Sequence, residues 1–346
     1  MHPLLFEINT CCWLRELSEK SGRTTTLSNV PDSEFGQWQR LGFTHIWLMG
    51  VWTTGPHSRS AALSHPDQRR VYDEVLPGWT DADIRASPYS ISAYTVSAEL
   101  GGDAALSSFK KRLNEEGLKL ILDFVPNHIG LDHPWLDEHP EYLVQCSCES
   151  PHALEWKTDR GTRWCAHGRD PYMPAWTDTV QIDYRVPEAR AAMAAELASV
   201  AQRCDGVRCD MAMLVLEDVF AKTWSAFPLP EISNPKLQLL NREVSTSSTA
   251  QLLRRQGEVY YVENEKPGTS ETELGVQSSS DFWSWVIPKS KPNNKGSSSW
   301  PKFTGVSKPV CSRLVSITRT TKPSTTGWSA MTALALKNIC WEWGEK

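Results

Sequence analysis

Leu118-Lys119-Leu120-Ile121-Leu122-Asp123-Phe124-Val125-Pro126-Asn127-His128 decides the class of fold. Up to Val125 it is a near-continuous apolar run, the composition of a strand buried in a parallel sheet. Pro126 and Asn127 end it, since Pro offers no ladder donor and Asn favours turns. Just upstream, Asp103 to Glu116 reads as a helix. Ala105, Leu106, Phe109 and Leu113 fall on one stripe, Lys110, Lys111, Arg112 and Glu115 lie off it, and Gly117 stops it. The same unit recurs outward. Leu4 to Thr10 and His45 to Val51 are strand-like, and Pro31 to Leu41 is a helix with Pro and acids in its first turn. Pro187 to about Arg203 is an Ala-rich helix, Asp205 to Asp210 a fourth strand, and Leu216 to Trp224 a short helix. Thr53 to Pro88 reads as a long polar loop and Gly130 to Pro187 as an excursion of little periodicity. Alternating strands and helices imply a parallel sheet, and the pattern alone leaves open whether it closes into a barrel.

The chain has 346 residues, 40% of them hydrophobic and 22% charged, enough to bury a sizeable core. A net charge of −5 and a pI near 6.0 lack the basic excess that nucleic acid or an anionic membrane attracts. No apolar run approaches the roughly 20 residues of a membrane span. Met1-His2-Pro3-Leu4 does not open a secretory signal pattern. Nine cysteines, odd in number and sparse, read as mostly reduced thiols, so a cytoplasmic protein is expected. No Gly-rich phosphate-binding turn follows any strand, which argues against nucleotide binding.

Polar groups gather at the C-terminal ends of the strands, in Asp123 to His128 and in Arg208-Cys209-Asp210. Arg208 and Asp210 are two apart and so share one face of a strand, where the guanidinium could hold the carboxylate ionised and oriented. Asp123-Phe124-Val125-Pro126-Asn127-His128 resembles the first signature region of the alpha-amylase family of glycoside hydrolases, and Gly206-Val207-Arg208-Cys209-Asp210 resembles its second. Ser87-Pro88-Tyr89-Ser90-Ile91-Ser92-Ala93-Tyr94 is similar to the family's Tyr-containing segment, and Gln181-Ile182-Asp183-Tyr184 to the short motif near the end of its inserted loop domain. Order and spacing agree with the family over roughly residues 1–225.

The resemblance implies a TIM (β/α)8 barrel, with a short loop domain at 131–186 inserted after strand 3. It also implies hydrolysis or transfer at an α-glucosidic bond of an α-glucan or oligosaccharide, with retention. Asp210 would be the nucleophile and Arg208 would orient it. His128 would hydrogen-bond the sugar, Tyr89 would stack under it, and Asp123 would support the site from below. Asn127 matches a position that binds calcium in many relatives, although the inserted loop is short for a calcium domain; no other cofactor or metal is implied. Retaining glycosidases set two carboxyl groups roughly 5–5.5 Å apart, one of them protonated. The acid belongs on strand 5, for which Gly257-Glu258-Val259-Tyr260-Tyr261-Val262 is the candidate, with Glu258 as the acid and Glu263 and Glu265 as fallbacks.

The tail departs from the family. No histidine follows His167, so the family's His-Asp pair after strand 7 is absent as such, and Asp281 is the last aspartate. Ser/Thr/Lys/Pro-rich stretches replace the expected strand–helix units, so the barrel is read as incomplete and 226–346 as a divergent or frame-shifted region. Beyond Asp281 only Val310 to Ile317 and Met331 to Cys340 are element-like. A catalytically inactive, truncated relic or a sugar-binding protein is the competing expectation.

Three further groups stand out. Cys146, Cys148, Cys165 and His167 carry soft ligands that could suit zinc, with scattered free thiols as the plainer reading. Cys11 and Cys12 are expected to pack at a strand end. Trp13, Trp47 and Trp52 lie near strand ends, where they would line a sugar cleft or the core.

Overall fold

The computed structural model describes residues 3–158, 161–228, 282–286 and 314–315. Five parallel strands form one sheet in the order β1 (Leu5–Asn9), β2 (His45–Met49), β5 (Lys119–Phe124), β10 (Gly206–Cys209) and β11 (Leu314–Val315). Between the first two lie α1 (Thr10–Ser21) and α2 (Asp32–Arg40). After β2 come β3 (Trp52–Thr53), α3 (Pro56–Ser64), α4 (Pro66–Val75), β4 (Ala93–Val96) and α5 (Gly102–Glu115). After β5 come β6 (His128–Gly130), α6 (Trp135–Glu138), the hairpin β7 (Ala153–Thr158) and β8 (Gly161–Ala166), then β9 (Thr179–Gln181) and α7 (Pro187–Arg203). The described remainder is α8 (Glu217–Trp224) and α9 (Phe282–Val286).

The period of two along the strands divides the sheet into two faces. Ile8, Ile46, Leu48, Leu120, Leu122, Phe124, Val207 and Cys209 are buried on the helix-covered face. There they meet Phe35 and Trp38 of α2, Leu106, Phe109 and Leu113 of α5, and Met193 and Leu197 of α7 in one continuous core. Burying each large apolar side chain contributes about 1.5–3 kcal/mol. The opposite face carries Trp47, Ile121, Asp123 and Arg208. The register sets Trp47 beside Ile121 and Arg208 beside Asp123, so the charged pair stands one layer above the indole.

The sheet is parallel, as the apolar strand runs require. Among the described residues it remains open, with β1 and β11 as its edges, rather than closed into a barrel. Leu4 and Phe6 are exposed, the Phe6 ring lying 4.8 Å from Phe43 and 6.4 Å from Trp38. The strand beside β10 is Leu314–Val315, inside the stretch read as element-like; Gly257 to Val262 lies outside the described residues.

Three expectations are corrected. Thr53 to Pro88 is not simply loop: α3 and α4 each begin at a proline, which is suited to the first helical turn. α4 sets Val71, Tyr72 and Val75 at helical spacing, yet no residue of it is buried. Cys11 and Cys12 stand in the first turn of α1, not at a strand end, because the Asn9 carboxamide caps that helix by accepting from the Cys12 N–H at 3.2 Å. Gly130 to Pro187 holds two antiparallel pairs, β6 with β9 and β7 with β8; its aromatic side chains form a small local cluster in which Tyr142 meets both Trp135 and His139.

Candidate active site

Asp123 is the last polar residue of β5, and its carboxylate is almost fully buried. Three groups hold it. Trp47 Nε1 donates to Oδ2 at 3.1 Å, Arg208 Nη1 donates to Oδ1 at 3.2 Å, and Trp52 Nε1 donates to its backbone oxygen at 2.8 Å. Burial raises its carboxyl from the usual aspartate range to about 7, against the opposing pull of Arg208 and the Trp47 hydrogen bond.

Arg208 Nη1 also lies 2.8 Å from Asp210 Oδ1, so one nitrogen bridges two carboxylates. The guanidinium is sandwiched between the rings of Trp47 and Tyr89, 4.9 Å and 5.2 Å from their centroids. Each cation–π contact is worth about 0.5–2 kcal/mol. Burial alone would lower the basicity of Arg208; Asp210 and Asp123 outweigh it and hold the group charged. Asp210 is buried at the end of β10, where its N–H continues the ladder by donating to Phe124 O at 2.8 Å. Met211 turns the chain directly afterwards in the left-handed region, at φ 48° and ψ 35°.

His128 opens β6 and is buried. The Asn127 carboxamide nitrogen is 3.3 Å from its Nδ1, its ring is hydrogen-bonded to the Tyr89 backbone, and the Trp176 ring stands 5.1 Å away. Burial depresses its pKa, with Asp210 and Asp178 pulling it back up. The loops that carry the site are tied together. Gly130 N–H donates to Ile91 O at 2.8 Å, Ser90 Oγ reaches Ser58 Oγ at 2.6 Å, and Asp132 caps α3 by accepting from His57 and Ser58 N–H.

Asp123, Arg208, Asp210, Tyr89 and His128 are therefore brought together around the C-terminal ends of β5 and β10. Glu258, Glu263, Glu265 and Asp281 lie outside the described residues. Asn127 does not fit a calcium role: it is fully buried, and its amide group is engaged with Gln181, whereas calcium takes six to eight oxygen ligands. Among the described residues no group of three or more His, Cys, Asp or Glu side chains could hold a metal, the Cys146 to His167 set included. Three neighbours of the site were not singled out from sequence: Trp176, Asp178 and His65. The ring pairing of Trp176 with His128 depends on the β6–β9 register, which no local pattern encodes.

The carboxylate–guanidinium cluster lies at the C-terminal ends of parallel strands, the face that carries the active site in (β/α)8 barrels. The family model for the alpha-amylase catalytic domain matches residues 37–225, and the chain belongs to that family. Among solved structures it is similar to a maltogenic alpha-amylase from Thermotoga neapolitana, at 20% identity, 64% of this chain, 41% of that one and a TM-score of 0.40. It is also similar to an alpha-amylase from Lactobacillus plantarum, at 20% identity, 75% of this chain, 49% of that one and a TM-score of 0.41. The chain thus spans less than half the length of these structures. A comparison with curated proteins finds no match.

Proposed function

We propose that this chain acts on α-glucosidic bonds of an α-glucan or oligosaccharide, by hydrolysis or glucanosyl transfer with retention. The observation that carries this reading is the Asp210–Arg208–Asp123 arrangement. A buried carboxylate at the end of β10 is held by a guanidinium that is itself fixed by a second carboxylate and two rings. In this reading Asp210 attacks the anomeric carbon and Arg208, 2.8 Å away, aims it. His128 and Tyr89 contact the sugar, and Asp123 anchors Arg208. Glu258 supplies the proton to the leaving oxygen and then activates water or an acceptor sugar. The catalytic unit spans 1–225 as the front part of a (β/α)8 barrel with its insertion at 131–186, and 226–346 follows as a region of different composition. The seven cysteines among the described residues are free thiols, which supports a reducing, cytoplasmic setting.

The test is covalent trapping. Incubation with an activated fluoro-α-glucoside should add one glycosyl unit to the peptide containing Asp210, read by mass spectrometry, and Asp210→Asn should abolish the adduct. Folded protein that gains no adduct there overturns the catalytic reading. The absence of any histidine after His167 favours a second reading, sugar binding without turnover, which predicts that negative result together with retained oligosaccharide affinity.

A further inference from the structure

We propose that α9 (Phe282–Val286) braces the strand-end site, with Trp283 and Phe282 as positioning residues for Asp210 and His128; this rests on the α-glucoside reading. The helix lies in the stretch whose composition departs from the family, yet it reaches the ends of both signature segments, one directly and one through Tyr184. Phe282 and Val286 are buried in the main core, and Trp283 packs against it.

Trp283 acts on the turn that follows Asp210. Its Nε1 donates to Ala212 O at 2.8 Å. Between Ala212 and Asp210 stands Met211, at φ 48° and ψ 35°, the one non-glycine residue at positive φ among the described residues. A side chain is disfavoured in that region and persists there only where its surroundings fix the backbone. Contacts on either side do so. Asp210 N–H donates to Phe124 O at 2.8 Å before the turn, and Leu214 N–H donates to Met211 O at 2.9 Å after it. The Trp283 indole adds a side-chain donor to this backbone pair. The turn takes the chain off β10 at the residue after Asp210, whose Oδ1 rests 2.8 Å from Arg208.

Phe282 acts on the other signature segment. Its ring meets the buried Tyr184 edge-on at 5.1 Å, and Phe220 of α8 meets the same tyrosine at 6.0 Å. Tyr184 Oη donates to Pro126 O at 2.6 Å, two residues before His128. Proline has no N–H, so the carbonyl is the backbone group by which that turn is held. A residue that only fills the core needs apolar contact in any orientation. An indole N–H aimed at one backbone carbonyl fixes direction as well as distance. Reacting groups depend on such support, because small misplacements cost rate. Loss of the brace should slow attack by Asp210 more than it weakens sugar binding.

The test compares the full chain with Trp283→Phe, Phe282→Leu and the double variant Trp283→Phe/Met211→Gly. Trp283→Phe keeps an aromatic ring and removes the N–H. In it, hydrogen exchange across 206–216, read by mass spectrometry, should run about fivefold faster, as for one lost hydrogen bond, with β2 unchanged. Trapping of Asp210 by the fluoro-α-glucoside should slow about fivefold at saturating reagent, with the half-saturating concentration within about twofold of the parent's. Glycine takes the left-handed turn freely, so the double variant should recover the parent's trapping rate to within about twofold. Phe282→Leu should speed exchange across 128–130, and reports even where Trp283→Phe perturbs folding. Exchange unchanged in both segments, or raised equally in β2, overturns the brace. Faster exchange with an unchanged trapping rate overturns it too. A parent chain that forms no adduct removes the α-glucoside reading, and the exchange pattern then decides by itself whether α9 holds the two turns.

Discussion

Arg208 Nη1 stands 2.8 Å from Asp210 Oδ1. Because the same nitrogen serves Asp123, removing the guanidinium strands two buried carboxylates at once. Arg208→Met should therefore destabilise the fold by about 3–5 kcal/mol at pH 7. The loss should shrink at pH 4, where the Asp123 carboxyl, raised to about 7 by burial, holds its proton and no longer needs the guanidinium. Arg208→Lys keeps the charge but loses the planar stack between Trp47 and Tyr89, and should fall in between. Urea unfolding at both pH values measures this. A methionine variant as stable as the parent at pH 7 would show that the pair does not stabilise the site.

Asp123 has its carboxyl raised to about 7, chiefly by burial. The folded chain keeps that proton across a range where the unfolded chain has lost it. This group's contribution is fully present below about pH 4, the ordinary aspartate value, and is lost as pH rises through about 7. Asp123→Asn mimics the protonated form and can still accept from Trp47 Nε1. Relative to the parent, the variant should gain stability between pH 4.5 and pH 7.5. Melting temperatures that run parallel for the two proteins across that interval would remove the titration from the account.

Most of what positions the site was legible because it is local. Arg208 and Asp210 share a strand face by period two, and Leu120 to Phe124 announces its burial by its apolar run. The Asp123–Arg208 contact needed only two parallel strands in register. What escaped depends on long-range pairing or on weak patterns. α4 buries nothing, so its proline start and its spaced Val71, Tyr72 and Val75 face no core. β7 alternates Leu154, Glu155, Trp156 and Lys157 over only a few residues and β8 does not alternate, so it is their hairpin pairing that defines them. Trp176 and Asp178 reach the site only because β9 pairs back onto β6, a relation between residues more than forty positions apart.

His133 lies outside the candidate site, and burial lowers its pKa to about 4. Its Nδ1 accepts from the Trp135 N–H at 3.2 Å, which requires that nitrogen to be unprotonated. The unfolded chain gains a proton below about pH 6.5 while the folded chain does not, so this group's contribution is lost as pH falls towards 4. The size of the effect is on the order of 3 kcal/mol by pH 4. His133→Gln offers a neutral acceptor of similar reach and should flatten the acid limb of a stability–pH curve between pH 6.5 and pH 4. This slope is opposite in sign to that of Asp123, so the double variant should remove both. An acid limb unchanged in His133→Gln would assign it to other groups.

Gly168 lies where β6, β9 and residues 175–178 converge. A Cβ built there would meet Thr179 Oγ1 at 2.6 Å and His128 Cβ at 3.0 Å. Real Cβ atoms do not approach that closely, so Gly168→Ala must push β9, His128 or both. Forcing a methyl into packed space typically costs about 1–3 kcal/mol. The two contacts can be separated. Thr179→Ala removes the hydroxyl behind the tighter clash but leaves His128 in the way. If Thr179 takes most of the strain, Gly168→Ala and Thr179→Ala should be non-additive, with the pair more stable than the sum of the single losses. If His128 is displaced as well, the double variant should recover stability without recovering the rate of glycosyl trapping at Asp210. Unfolding free energies for the four proteins, with trapping rates measured on the same samples, decide between these. Strict additivity in stability would mean that Gly168 is accommodated by movement elsewhere, and that His128 is not held in place by this contact.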